Sequence, residues 1–258
     1  MHHSIKKWYI KVCRYLFGQQ FMKIMDGPLQ GYRWTTNSSY EYIMGCYENP
    51  VALDQLDRWL KPQSIFYDLG ANIGFHALLA NRVITKGKIY SFEPLPLNRI
   101  VFEKHIQLNK DLMGVNNISL LPFAISDKEK EIIFSDDKNQ KDGNTYITSS
   151  PVFAAAQNTI TAKCYSIDEL VQQGYEKPDI MKIDVEGAEY DVLLGAVNTL
   201  KQYKPGILLA THDCHLPGVK DNCIQLLQAL GYVLQHTGNY NQQLKGLDDY
   251  IAVHPGRV

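Results

Sequence analysis

YDLGANIG, residues 67–74, joins the apolar run SIFYDLG (64–70) to the helix-forming stretch IGFHALLA (73–80). A buried strand that ends on glycine and passes at once into a helix is the opening unit of a strand–helix–strand fold. The same rhythm continues down the chain. GKIYSFEP (87–94) reads as a second strand stopped by Pro94, and a helix follows with Leu97, Val101 and Leu108 at helical spacing. ISLLPFAISD (118–127) reads as a third strand. DIMKIDVEG (179–187) reads as a fourth, followed by a helix from Ala188 to about Leu200. GILLATHD (206–213) is a fifth, and its helix runs from about Val219 to Leu230, with Gly231 in a C-cap position. YVLQH and YIAVH close the chain as two strands joined by the polar loop TGNYNQQLKGLDD. Repeated units of this kind predict an α/β fold, a mostly parallel sheet with helices on both faces.

Two regions depart from that pattern. Residues 126–164 hold EIIFSDD, NTYITSS and NTITAKC, short and rich in threonine and β-branched residues, which predicts a small inserted antiparallel segment with a mobile loop at Asp136–Asn144. Residues 1–62 lack the alternation and predict an N-terminal helical arm and cap ending at Pro62; residues 63–258 form the main domain. On a helix through IKKWYIKVCRYLFG, Ile5, Trp8, Val12, Tyr15 and Leu16 share a face, with Lys6, Lys7, Lys11 and Arg14 largely opposite. That face is expected to pack on its own domain or on a partner in a homodimer. The rival expectation is a weak anchor on an anionic membrane surface.

A net charge of −1 excludes a broad nucleic-acid footprint. Cys13, Cys46, Cys164, Cys214 and Cys223 are scattered, without C-x-x-C or zinc spacing, and predict free thiols in a reducing compartment. The four basic residues near the start interrupt any signal-peptide core, so the chain is expected in the cytoplasm.

In an open α/β sheet, ligands bind beyond the carboxyl ends of the strands, and the glycine turn lies there. A P-loop needs G-x-x-x-x-G-K-[ST]; Gly70 and Gly74 are too close together and no lysine follows. A dinucleotide site needs G-x-G-x-x-G, and Asn72 stands where the second glycine should let a pyrophosphate approach. S-adenosylmethionine carries no pyrophosphate. It needs a tight turn, helix N-terminal amides for its carboxylate and an acid for its ribose. Asp68, Gly70, Asn72 and Gly74 supply the turn, and Glu93, followed by Pro94, supplies the acid at the end of the second strand. Phe123, Ala124 and Asp127 are the candidates for the adenine slot.

Together with YDLGANIGFHALLA, the stretches SFEPLPLNRIVFEKHIQLNK (91–110), FAISDKE (123–129), YSIDEL (165–170), IMKIDVEGAEYDVLLGAVNTL (180–200) and KPGILL (204–209) resemble the FkbM-type family of S-adenosylmethionine-dependent methyltransferases. The resemblance runs from about Tyr47 to Val253, and GCYE (45–48) matches a short upstream segment of that family. It implies a class I methyltransferase fold, Rossmann-like, with a seven-stranded sheet holding one antiparallel strand. It also implies methyl transfer to a hydroxyl of a sugar or another small metabolite. One departure stands out: the family often places a glutamate before the histidine at the end of strand five, where this chain has Thr211 before His212.

Methyl transfer is an in-line displacement that positioning accelerates, and an alcohol acceptor must also lose a proton. Side-chain alternation sets Lys182, Asp184 and Glu186 on one face of the fourth strand, with Asp184 at its tip and Lys182 placed to hold a carboxylate ionised. His212, on the neighbouring tip, is the other candidate base. Asp184, Glu186, His212 and Asp213 are alternatively an oxygen-rich site for a divalent cation such as magnesium. His76, His105, His215 and His236 are expected to be structural or at the surface. Tyr42, Tyr47, Tyr146 and Tyr240 hint at sugar stacking. The absence of an N-P-P-Y segment and of a cysteine after proline disfavours nitrogen and cytosine C5 methylation. The rival function class is a binding or scaffold protein on a retired methyltransferase fold; an NAD-binding protein stands behind both.

Overall fold

The computed structural model describes residues 3–18, 20–36, 38, 40–45, 49–135, 159–238 and 246–257. Cys46, Tyr47, Tyr146, Tyr240, the GCYE segment beyond Gly45, the loop at 136–144 and the NTYITSS strand lie outside the described residues, as do the side chains of Ile5 and Leu16.

The N-terminal part comprises α1 (His3–Phe17), a hairpin of β1 (Phe21–Lys23) and β2 (Arg33–Thr35), α2 (Tyr40–Met44) and α3 (Pro50–Trp59). A hairpin stands beside the helices of this arm and cap: Met22 pairs with Trp34, and both side chains are buried. α3 starts at Pro50 because Asn49 caps it, accepting from the amides of Val51 and Ala52. The arm shares one core with the main domain: Ile10, Trp34, Leu56, Phe66, Phe75, Ile180 and Ile251 belong to a single buried cluster.

α1 presents the face that the hydrophobic pattern assigned to the interior. Ile10 and Cys13 are buried, while Trp8 is 65% and Tyr15 74% exposed. The correction has a simple cause. The inward stripe is narrow: Ile10 and Cys13 join the common core, and Arg14 donates to the Thr36 carbonyl.

The main sheet is built from β3 (Ile65–Leu69), β4 (Lys88–Phe92), β5 (Ile118–Leu121), β9 (Ile180–Ile183), β10 (Gly206–His212), β11 (Val233–Gly238) and β12 (Leu247–Val253). Its order is β11-β12-β10-β9-β3-β4-β5, with β12 antiparallel to both neighbours, as the resemblance implied. The chain runs outward from β3 through β4 to β5, then returns to β9 on the other side. The switch point therefore falls between β3 and β9.

Several boundaries differ from those expected. ISLLPFAISD breaks at Pro122: β5 stays in the main sheet, and β6 (Ala124–Ile125) joins β7 (Lys130–Ser135) and β8 (Thr159–Tyr165) in a second, three-stranded sheet. β7 and β8 pair antiparallel, as the insert predicted, but β6 pairs parallel with β8. The helix after the fourth strand divides into α7 (Glu189–Leu194) and α8 (Val197–Tyr203). The break sits at Gly195, where an added Cβ would lie 2.1 Å from the Ser126 carbonyl oxygen. Leu247 to Asp249 belong to β12 rather than to the preceding loop.

α4 (Phe75–Asn81) follows β3, α5 (Pro96–Leu108) follows β4, α6 (Ile167–Gln172) follows β8, and α9 (Val219–Ala229) follows β10. α5 buries Phe102 and His105 rather than Leu97, which is exposed. Ser166 and Glu169 form a capping box on α6.

His105 ties the arm to the domain. Its ring stacks on Trp34 with centroids 3.7 Å apart, its Nε2 accepts from the Thr35 amide at 3.1 Å, and its Nδ1 donates to the Ile73 carbonyl at 2.8 Å. The amide fixes the neutral tautomer, and burial pushes the imidazole down to about 4. With its folded value below the unfolded one, His105 contributes stability that is present above pH ~6.5 and lost as pH falls towards 4. Urea titrations should show a loss of roughly 3 kcal/mol from this group over that window. The His105→Gln variant, less stable at neutral pH, should show a flatter slope there; an unchanged slope refutes the assignment.

Candidate functional site

The glycine turn is set by backbone chemistry. The amides of Gly70 and Ala71 both donate to the Phe92 carbonyl, at 3.1 and 3.0 Å, so the end of β4 pins the start of the turn. Gly70 (φ 74) and Asn72 (φ 48) adopt left-handed backbone; asparagine is among the residues that tolerate it. A Cβ at Gly70 would stand 1.9 Å from the carbonyl oxygen of Asp184, and one at Gly74 would stand 2.3 Å from the Phe102 ring. The turn is thus wedged between the tip of β9 and α5. α4 begins only at Phe75 and is seven residues long, shorter than the helix expected from Ile73.

Glu93 closes the turn from the β4 side. Its carboxylate is buried and accepts from the Asn72 amide (2.8 Å), the Leu95 amide (2.9 Å) and the Asn98 side chain (3.2 Å). Burial raises its pKa to about 7 against these bonds. Pro94 sits beside it, its carbonyl taking a bond from Arg99. Asp68 is fully buried on β3, in register with Lys182 on β9, and its carboxylate is faced by the Lys182 ammonium and the Ala77 amide. Burial lifts Asp68 to about 6, although Lys182 lies 3.6 Å away. Lys182 donates to the Gly70 carbonyl at 2.8 Å and lies 3.3 Å from Asp184. Ala124 packs with Leu95 and Ala188. Asp127 is tied to Lys130 and Ser126 within the second sheet.

β9 ends at Ile183, so Asp184 lies just past the strand and Glu186 stands in a turn at φ 56, not on an extended segment. The tertiary fold nonetheless gathers them. His212, buried at the tip of β10, has Nε2 3.5 Å from Asp184 and 3.6 Å from Glu186. Its Nδ1 meets Glu189 at 2.8 Å, and Glu189 also accepts from the Gly187 amide. Glu189 carries no sequence signal of its own, since it reads as the first residue of an amphipathic helix. His215, expected to be structural or at the surface, stacks on His212 with centroids 5.3 Å apart and lies 3.0 Å from Glu186. Asp213 is outside the group: it caps α9 through the Lys220 amide.

Burial alone would lower the pKa of His212. Glu189 first, then Glu186 and Asp184, override burial and raise it well above the usual imidazole value. The charged imidazolium is thereby favoured over the neutral ring that a base at this position requires. Burial also opposes ionisation of Asp184, but Lys182 and His212 outweigh it and hold the carboxyl below its usual range.

A cavity of about 60 Å³ opens on the other side of Asp184, lined in part by Tyr42, Phe75, His76, Lys182 and Tyr250. His76, expected to be structural or at the surface, faces this space; burial and then Lys182 lower it to about 3, so it is neutral. Tyr42 stacks on Phe75 at 4.7 Å. Asp184 thus stands between the glycine turn and a cavity with aromatic walls.

The sequence of residues 68–234 matches the family model described as the methyltransferase FkbM domain. The chain belongs to the FkbM methyltransferase family. Within or close to that family, it is 30% identical over 138 residues to the hexuronic acid methyltransferase AglP of Haloferax volcanii, covering 53% of this chain and 52% of that one. It is 24% identical over 152 residues to the 2-O-methyltransferase NoeI of Sinorhizobium fredii, covering 54% of this chain and 60% of that one. The chain spans about half the length of the curated relatives it matches. Among solved structures, a methyltransferase FkbM from Methylobacillus flagellatus KT superposes with a TM-score of 0.52 at 14% identity, covering 74% of this chain and 44% of that one. That likeness is one of fold. Among the described residues no helix is long and apolar enough to cross a membrane.

Proposed function

We propose that the protein is an S-adenosylmethionine-dependent O-methyltransferase whose acceptor is a hydroxyl of a sugar, free or within a glycan, or of a similar small metabolite. The observation that carries this is the place of Asp184, whose carbonyl abuts Gly70 of the turn and whose carboxylate faces His212 beside the cavity. S-adenosylmethionine, when bound, supplies an electrophilic methyl group on a sulfonium. The turn suits such a cation. Asp68 offers a buried carboxylate with lone pairs beyond those facing Lys182 and the Ala77 amide, and Glu93 offers lone pairs beyond those that the Asn72 and Leu95 amides use. A pyrophosphate would meet these carboxylates as like charges. Asp68, Gly70, Asn72, Gly74, Glu93 and Pro94 therefore form the cofactor side.

On the acceptor side, Asp184 and Glu186 are the carboxylates placed to take the hydroxyl proton. Lys182 keeps Asp184 ionised, and His212, held by Glu189, stands 3.5 and 3.6 Å from Asp184 and Glu186 as an ion-pair neighbour. Tyr42 and Tyr250 offer rings of the kind that cover a sugar face. The relatives' names, one for a hexuronic acid and one for a 2-O position, support a carbohydrate acceptor.

A second reading rests on the same group: ligand atoms of Asp184, Glu186 and His212 all lie within 4.8 Å of one another, a set that suits a divalent cation. It requires His212 to give up the proton that its three carboxylates hold, which favours the metal-independent reading. One assay tests both. Purified protein, labelled S-adenosylmethionine and a panel of hexuronic acid and hexose acceptors should give base-stable methyl ether, at the same rate with EDTA present. S-adenosylhomocysteine should raise Tm and NADH should not. No shift with S-adenosylhomocysteine discards the function, and loss of rate in EDTA, restored by magnesium, installs the cation.

A further inference from the structure

The outward face of α1 is unaccounted for by the fold. Trp8, Lys11, Val12 and Tyr15 follow one another at helical spacing on the side turned from Ile10 and Cys13. Trp8 and Tyr15, the largest rings of the helix, are 65% and 74% exposed, Tyr9 is 46% exposed, and Lys11 and Arg14 are exposed beside them. The helix carries Lys6, Lys7, Lys11 and Arg14 and not one acidic residue. Soluble helices that turn one face to water normally place polar residues there, often of both signs. This one shows water two broad amphipathic rings and a single sign of charge.

We propose that α1 docks the protein on an anionic lipid surface, lying in the interface with Trp8, Val12 and Tyr15 towards the acyl boundary and its basic side chains among the headgroups. Tryptophan and tyrosine favour the lipid–water interface, where the ring is half in hydrocarbon and its N–H or O–H remains wet. The positive charge complements acidic lipid, and the two terms together give the reversible binding typical of interfacial helices. A second copy of the chain fits the same face less well. A two-fold pairing of α1 on α1 would bring the basic residues of both protomers into one seam, with no acid on the helix to offset them. α1 packs on α2, whose Tyr42 lines the cavity beside Asp184, so lipid docking would bring the acceptor side close to the membrane.

The test is vesicle flotation of the full chain with phosphatidylcholine alone and with phosphatidylserine added. The protein should float only with the acidic vesicles and release at high salt. Trp8→Ala with Tyr15→Ala, or Lys11→Glu alone, should weaken partition by roughly tenfold or more. These variants should keep the wild-type Tm and the wild-type rate on a soluble acceptor, because the replaced side chains are exposed and remote from the site. Failure to float with acidic vesicles overturns the proposal. So does flotation that the variants leave unchanged. A concentration-dependent dimer in light scattering, dissolved by the paired aromatic variant, assigns the face to a second copy instead.

Discussion

The Asp184→Asn variant should bind S-adenosylhomocysteine as the wild type does and turn over ~10²–10⁴-fold more slowly. The substitution is close to isosteric, and the contacts around it explain why it should spare the fold. Lys182 keeps Asp68 and the Gly70 carbonyl as partners, and His212 keeps Glu186 and Glu189. What disappears is the ionised oxygen between the turn and the cavity. The loss should appear in kcat, because a carboxylate that receives a proton as the new bond forms acts mainly in the transition state. Near-normal turnover would transfer the role to Glu186. A loss of S-adenosylhomocysteine binding would instead make Asp184 part of the cofactor cradle. The pH profile separates these outcomes further. With His212 charged well above neutrality, the wild-type rate should not depend on imidazole ionisation near pH 6.5, whereas Glu189→Gln should bring such a limb into view by removing the anion that holds the proton.

Gly70→Ala should have the largest effect on the fold and on cofactor binding together. Two costs combine. The backbone at φ 74 disfavours any L side chain by roughly 1 kcal/mol. The new methyl would also lie 1.9 Å from the Asp184 carbonyl oxygen, a backbone atom that moves only if the end of β9 moves with it. A total on the order of 2–4 kcal/mol follows, which for a domain of this size lowers Tm by roughly 5–15 °C. Displacing β9 also displaces Asp184 and Lys182, so the stabilisation by S-adenosylhomocysteine should vanish. Gly174→Ala is the matched control: φ is 99, but nothing lies within 4 Å of the added Cβ. It should cost only the conformational part and leave ligand binding intact. Equal losses in the two variants would show that the approach of Asp184 to the turn is unimportant.

Glycine, proline and the apolar runs made the main sheet legible, because each strand end is marked by residues acting on their own neighbours. Gly70 after β3, Pro94 after β4 and Gly231 after α9 are local signals of that kind. The splitting of the third strand at Pro122 was written in the same terms but lay inside a continuous apolar run. The break at Gly195 in the helix after the fourth strand was less visible, since its cause is the Ser126 carbonyl, far away along the chain. In the site, Asp68 could be named from the glycine turn, Lys182 from strand alternation, and Asp184 and His212 from strand tips, and the fold brings them together.

What the chain determines by itself is therefore the order of strands and helices, the glycine turn and the set of charged residues at the strand ends, because these follow from interactions a few residues long. Only the tertiary structure decided which groups share protons and which face of the arm meets water. Glu189 reaches His212 from another element, Glu93, expected to serve the ribose, also spends bonds on the turn, and α1 turns Ile10 and Cys13 inward and leaves Trp8 and Tyr15 outside. Those outcomes depend on burial and on distances between segments remote in sequence, and burial is a property of the assembled packing.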